Sequence, residues 1–255
     1  MNKSMVKKIY LSLSSIFIFI LHIPFVFAKI KPLENTAAAK PATHNVPAPP
    51  NSLLNLQSLV YDSLKLNTMG LSRQAFDYAI KGYNYLKSTG KVHNEDILSI
   101  VDFSLPSSKK RLFILDVKNF KILFNTYVAH GRNSGKEFAN QFSNQDKSLK
   151  SSLGFYVTQD TYSGNHGYSL RLEGEENGIN DNALSRGVVM HSAWYVNENI
   201  IKSHGYIGRS QGCPAIPENL HKPIIEKIKN GSCLFLYSPD KNYLSHSRIL
   251  QQISA

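Results

Sequence analysis

The chain has 255 residues, with 29 Lys and Arg against 18 Asp and Glu, a net charge of +11. That length fits one domain of ordinary size plus flanking segments, with enough apolar residues for a sizeable core. The excess positive charge suits an anionic polymer or a membrane surface. With no zinc finger, RNP-like motif or concentrated basic stripe, nucleic acid is excluded as a partner.

Residues 1–28 read as a targeting segment. Lys3, Lys7 and Lys8 make a positive start, Ile9 to Phe27 is almost wholly apolar, and Val26-Phe27-Ala28 resembles a small-residue cleavage site. The expectation is a cleaved signal peptide and a mature chain in the periplasm or cell envelope, starting near Lys29 with a net charge of about +8. The alternative is an uncleaved anchor, the one route by which a membrane enters the account. Residues 29–51, rich in Ala, Pro and Thr, read as a flexible linker.

Residues 52–95 read as a helical pair. Leu53, Leu56, Val60 and Leu64 recur at helical spacing, with Gly70 as the stop. Ser72 is placed to cap a second helix, with Phe76, Ala79, Ile80, Tyr83 and Leu86 on one face and Gly90 ending it. These aromatics are read as packing residues.

From Ile97 the pattern turns to strands, and residues 96–245 are expected to form the main domain, followed by a tail over 246–255. Strands are predicted at Ile97 to Phe103, Arg111 to Val117, Phe120 to Ala129, Gly154 to Thr161, Tyr168 to Leu172, Gly187 to His191 and Leu234 to Tyr237. Lys118-Asn119 reads as a hairpin tip. The imperfect alternation in Lys121 to Val128 predicts burial on both faces, and Lys109-Lys110-Arg111 reads as a solvated turn. Gly131 to Lys150 is a long polar loop of the kind that often carries function. Asn197 to His204 reads as a short helix. Pro217 to Lys229 reads as an amphipathic helix with Leu220, Ile224, Ile225 and Ile228 inward and Gly231 as its stop. The class is mostly β (α+β).

Two segments carry chemistry: His191-Ser192-Ala193-Trp194-Tyr195-Val196, and Gly208-Arg209-Ser210-Gln211-Gly212-Cys213-Pro214-Ala215. A cysteine between glycine and proline lies in a stiff turn, not in a core run. His191 ends an apolar strand, at a rim where a site can form. Cysteine and histidine are the minimum set for thiolate catalysis, because a thiol of pKa about 8.5 needs a base to become a useful nucleophile near neutrality. The histidine comes first, the reverse of the papain order. A metal site from His191, His204 and Cys213 fits no zinc spacing, and no phosphate loop or dinucleotide fingerprint appears. His130, His166 and His221 receive no role.

Together these segments resemble the catalytic signature of the L,D-transpeptidase (YkuD-like) family, in its murein L,D-transpeptidase catalytic-domain branch. The resemblance covers roughly Leu98 to Leu244. Gln211 departs from it, because many members have histidine there. The resemblance implies a β-sandwich-like catalytic fold with the helical pair and a helix packed on it, and a cysteine acyltransferase that needs no cofactor or metal. It implies peptidoglycan stem peptides as partners: Cys213 attacks a tetrapeptide stem at its third, diamino-acid residue, with His191 as base. An amine then resolves the thioester as a 3-3 cross-link, whereas water would make an L,D-carboxypeptidase or murein peptide hydrolase. An inactive wall-binding protein on the same fold is the remaining alternative. Carbapenems are the acylating drugs the resemblance suggests.

Further residues have expected places. Gly212 and Cys213 N–H groups suit an oxyanion hole. Ser210 orients His191 or the turn, or is a plain turn hydroxyl. Arg209 pairs with a stem carboxylate or with a nearby acid. Tyr168 and Tyr195 line the groove or pack in the core. Cys213 and Cys233 are expected to be two free thiols, with Cys233 in an apolar strand as a small hydrophobe.

Overall fold

The computed structural model describes residues 59–252. The expected signal peptide, the linker and the first part of the first helix lie outside the described residues. Residues 59–63 are helical and lead through turns to Gly70. Tyr61 and Leu66 are buried, and the Tyr61 hydroxyl donates to the Leu71 carbonyl at 2.6 Å.

Helix α1 (Arg73–Ser88) starts as the sequence predicts, with the Ser72 hydroxyl accepting the Ala75 N–H. Ala75, Phe76, Ala79, Tyr83 and Leu86 form its buried face. The Ser72 N–H donates to Asp102 Oδ2 at 2.9 Å, which ties the helix entry to the end of the first strand.

Eight strands follow: β1 (Ile97–Asp102), β2 (Leu112–Asp116), β3 (Lys121–Thr126), β4 (Gly154–Gly164), β5 (Gly167–Gly174), β6 (Val189–Ser192), β7 (Ala215–Ile216) and β8 (Cys233–Tyr237). Their order across the sheet is β3-β2-β1-β8-β4-β5-β6-β7. β1, β2 and β8 are buried along their whole length, and β1 pairs parallel to β8. Such central strands read as continuous apolar runs, not alternating ones. The sheet nearly closes on itself. Just beyond β3, at one edge, Ala129 bridges to Ala215 of β7, at the other, and the Ala129 N–H donates to the Ala215 carbonyl at 2.8 Å. A mostly β fold with packed helices is therefore observed.

Helix α2 (Glu198–His204) is capped by Asn197, and α3 (Glu218–Ile228) buries Ile224, Ile225 and Ile228. Beyond β8, α4 (Lys241–His246) and α5 (Arg248–Gln252) return to the core. Tyr243, Ile249 and Leu250 are buried there. Buried Glu176 anchors them by accepting from the Tyr243 and Ser247 hydroxyls and from the Phe155 N–H. A core stack of Phe155 on Phe235, with centroids 4.1 Å apart, joins β4 to β8.

Two local expectations are corrected. β3 is an edge strand with mostly half-covered side chains rather than one buried on both faces, because no further strand among the described residues flanks its outer side. Arg111 is fully buried, unlike its exposed neighbours Lys109 and Lys110. Its guanidinium donates to the Val128 and Leu105 carbonyls and to His130 Nδ1, and it lies over the Phe103 ring. Burial lowers Arg111 to about 9 and His130 to about 3, the latter also through the neighbouring guanidinium.

Cys233 is fully buried in β8 and free. Cys233→Ser places a hydroxyl at a fully buried position of the central strand. The expected cost is about 1–3 kcal/mol, read as a lower thermal midpoint with turnover retained.

Candidate active site

The pairing of β6 with β7 brings the two chemical segments together. His191 stands opposite Ala215, two residues beyond Cys213. On the other side of β7, the segment after β3 runs alongside: the Ser210 N–H donates to the His130 carbonyl, and the Arg132 N–H to the Ser210 carbonyl. The cysteine turn is thus held between a strand carrying the histidine and the start of the long loop.

The turn has one allowed shape. Gly212 has φ +129°, and a side chain there would come within 2.8 Å of the Lys150 carbonyl, so only glycine fits. The Ser210 hydroxyl accepts the Gly212 N–H at 3.0 Å and donates to the Cys213 carbonyl at 2.6 Å. Ser210 therefore orders the turn and makes no bond to His191. This narrows the oxyanion-hole expectation: the Gly212 N–H is already engaged, which leaves the Cys213 N–H. The Ser151 hydroxyl clamps the same turn, donating to the Gly212 carbonyl and accepting from the Gly131 N–H.

His191 and Cys213 line one cavity of about 470 Å³. His191 Nδ1 lies 2.8 Å from the Ser192 carbonyl. A carbonyl only accepts, so Nδ1 carries the proton and Nε2 keeps its lone pair. Burial pushes the His191 imidazole below its ordinary value of 6.5. The Ser192 bond opposes this and neighbouring His166 reinforces it. Burial raises the Cys213 thiol, offset in part by the Val189 N–H at 3.5 Å and the Arg186 guanidinium. At neutral pH the resting pair is thus a neutral imidazole and a neutral thiol. The base must be neutral to act, so activity is lost as pH falls through the histidine pKa. The acid limb of kcat/KM is expected below pH 6.5. A limb at or above that value contradicts this placement of the base.

The other expected site residues are placed as follows. Tyr195 lines the cavity, and burial raises its phenol to about 12. Arg209 also lines it, but its guanidinium donates to the Arg132 and Gly135 carbonyls and so braces the long loop. Tyr168 stands apart from the cavity lining and donates to Glu226 on α3. Trp194 is 68% exposed, edge-on to Tyr195.

Several cavity residues had no sequence signal. Arg186 ends a polar stretch without periodicity, yet it donates to the Ser143 and Lys150 carbonyls and reaches the thiol electrostatically. Arg132 and Lys147 come from the long loop, and Tyr162 and His166 from the β4–β5 hairpin. Among the described residues, none of Arg132, Lys147, Arg186 and Arg209 is paired with a carboxylate, and Asp146 is the one acid on the cavity.

A histidine on strand β6 and a cysteine in the turn that enters the adjacent strand β7, on one cationic cavity of a nearly closed sheet, define the class. The family model described as the L,D-transpeptidase catalytic domain matches residues 67–237. The chain belongs to that family. Similar solved structures include an L,D-transpeptidase from Mycobacterium smegmatis, at 12% identity, 56% coverage of this chain and 59% of that one, with a TM-score of 0.36. L,D-transpeptidase 3 from Mycobacterium tuberculosis gives 12% identity, 56% and 61% coverage, and 0.36. An L,D-transpeptidase (Yku) from Stackebrandtia nassauensis gives 14%, 67% and 69%, and 0.35. The chain spans about three-fifths of the length of the two mycobacterial structures. A search of the curated proteins gives no match.

Proposed function

We propose that the chain is an exported peptidoglycan L,D-transpeptidase of the periplasm or cell envelope. The observation that carries this is the shared cavity of Cys213 and His191, with the imidazole's Nε2 left free as a base. In the proposed cycle Cys213 Sγ attacks the carbonyl of the third, diamino-acid residue of a tetrapeptide stem. His191 Nε2 takes the thiol proton. The tetrahedral oxyanion meets the Cys213 N–H. The bond to D-Ala breaks, and His191 returns the proton to the departing amine. An amine from a second stem then attacks the thioester, His191 takes its proton, and the thiolate leaves and is reprotonated. The product is a 3-3 cross-link.

The cationic lining supports the substrate class. Stem peptides carry several carboxylates, and Arg132, Lys147, Arg186 and Arg209 offer them charge with little competing acid on the cavity.

The test is covalent labelling. A carbapenem presents a strained amide, and the site should open it to a thioester on Cys213. Intact mass should show one adduct, peptide mapping should place it on Cys213, and Cys213→Ala should show none. Labelling at Cys233 alone, or equal labelling of unfolded protein, would mean ordinary thiol reactivity and count against an organised acyl-transfer site.

A further inference from the structure

His166 has no role in the cycle above, yet it stands beside the base. It occupies the tip of the β4–β5 hairpin, in the two-residue connection Asn165-His166 between the paired Gly164 and Gly167. Gly167 has φ +71°, a left-handed conformation that closes so short a turn. The hairpin reaches over the active site. The His166 ring lies on the His191 ring with centroids 4.3 Å apart and planes 23° from parallel. The His166 carbonyl also accepts from the Ser192 hydroxyl at 3.5 Å, so the tip is tied to the residue whose own carbonyl holds His191 Nδ1. Two imidazoles in a near-parallel stack do not exchange a proton between ring nitrogens, because those lone pairs lie in the ring planes. His166 therefore acts on His191 through its face.

We infer that His166 is a positioning residue for the base: its ring covers one face of His191 and holds the imidazole in the plane set by the Nδ1–Ser192 bond. This rests on the assignment of His191 as the partner of Cys213. The stack has an energetic consequence. A neutral His166 presents a π-face to the imidazolium that forms when His191 takes the thiol proton, and so favours the thiolate–imidazolium pair. His166 and His191 are the two histidines that line the cavity among the described residues. The fixed charges facing them are Arg132, Lys147, Arg186 and Arg209 from the loops, with Asp146 the one acid.

The experiment reads Cys213 directly and needs no peptidoglycan. The rate of its alkylation by iodoacetamide is followed by peptide mass mapping across pH, with buried Cys233 as the unlabelled control. Wild type is compared with His191→Ala, His166→Ala and His166→Phe. His166 is exposed at a hairpin tip, so the variants are expected to fold, which circular dichroism checks. His166→Ala should slow alkylation at neutral pH about 2- to 10-fold, the worth of one aromatic pair. His166→Phe keeps an aromatic ring at this position. It should recover the wild-type rate. His166→Ala at the wild-type rate, or His166→Phe no faster than His166→Ala, would overturn the inference while leaving the dyad standing. His191→Ala at the wild-type rate would instead remove the dyad, and this inference with it.

Discussion

Replacing Cys213 by alanine is expected to reduce acyl transfer to the uncatalysed rate while the protein stays folded. No other thiol can substitute, because Cys233 is fully buried in the central strand β8. The structural loss is small. Cys213 Sγ makes only long contacts, with the Val189 N–H at 3.5 Å and the Gly187 carbonyl at 3.8 Å, and the turn is held by Ser210, Gly212 and Ser151 instead. Turnover and thermal unfolding measured side by side separate the effects. Residual turnover near wild type would remove the nucleophile from the account.

His191→Ala is expected to cost about 10²- to 10⁴-fold in kcat/KM at neutral pH, the range of general acid–base contributions. The reason is the charge state of the site. Burial holds the Cys213 thiol above its ordinary value, so the nucleophile is protonated at neutral pH and depends on the imidazole. The loss should therefore shrink as pH rises, because hydroxide then ionises the thiol without a base. A deficit independent of pH would mean that His191 shapes the turn rather than moving a proton. Rates from pH 6 to 10 for wild type and variant decide between the two.

Much of this arrangement was legible in the sequence because it rests on local signals. Ser72 as a cap, the apolar runs of β1, β2 and β8, the short helix near Asn197 to His204 and the face of α3 are each set by residues close in the chain. The cysteine turn was legible too, since glycine before the thiol and proline after it fix the backbone there. What escaped depends on distant partners. Arg111 looks like part of a basic turn until the Val128 and Leu105 carbonyls and His130 Nδ1 are seen to receive its donors inside the fold. β3 has the residues of a buried strand but lies at the sheet edge, which only topology decides. Arg186 reaches the thiol's electrostatic field from a stretch without periodicity, and Tyr168 points to α3 although its sequence neighbour His166 lines the cavity.

The most direct test of the central claim is product analysis. Purified disaccharide-tetrapeptide is incubated with the protein lacking residues 1–28, and the products are separated and weighed by mass spectrometry. The proposed function predicts release of D-Ala and a dimer cross-linked between two third-position residues, both absent with Cys213→Ala. Tripeptide monomers alone would make water the acceptor. Unchanged tetrapeptide from a folded protein would contradict the transpeptidase assignment.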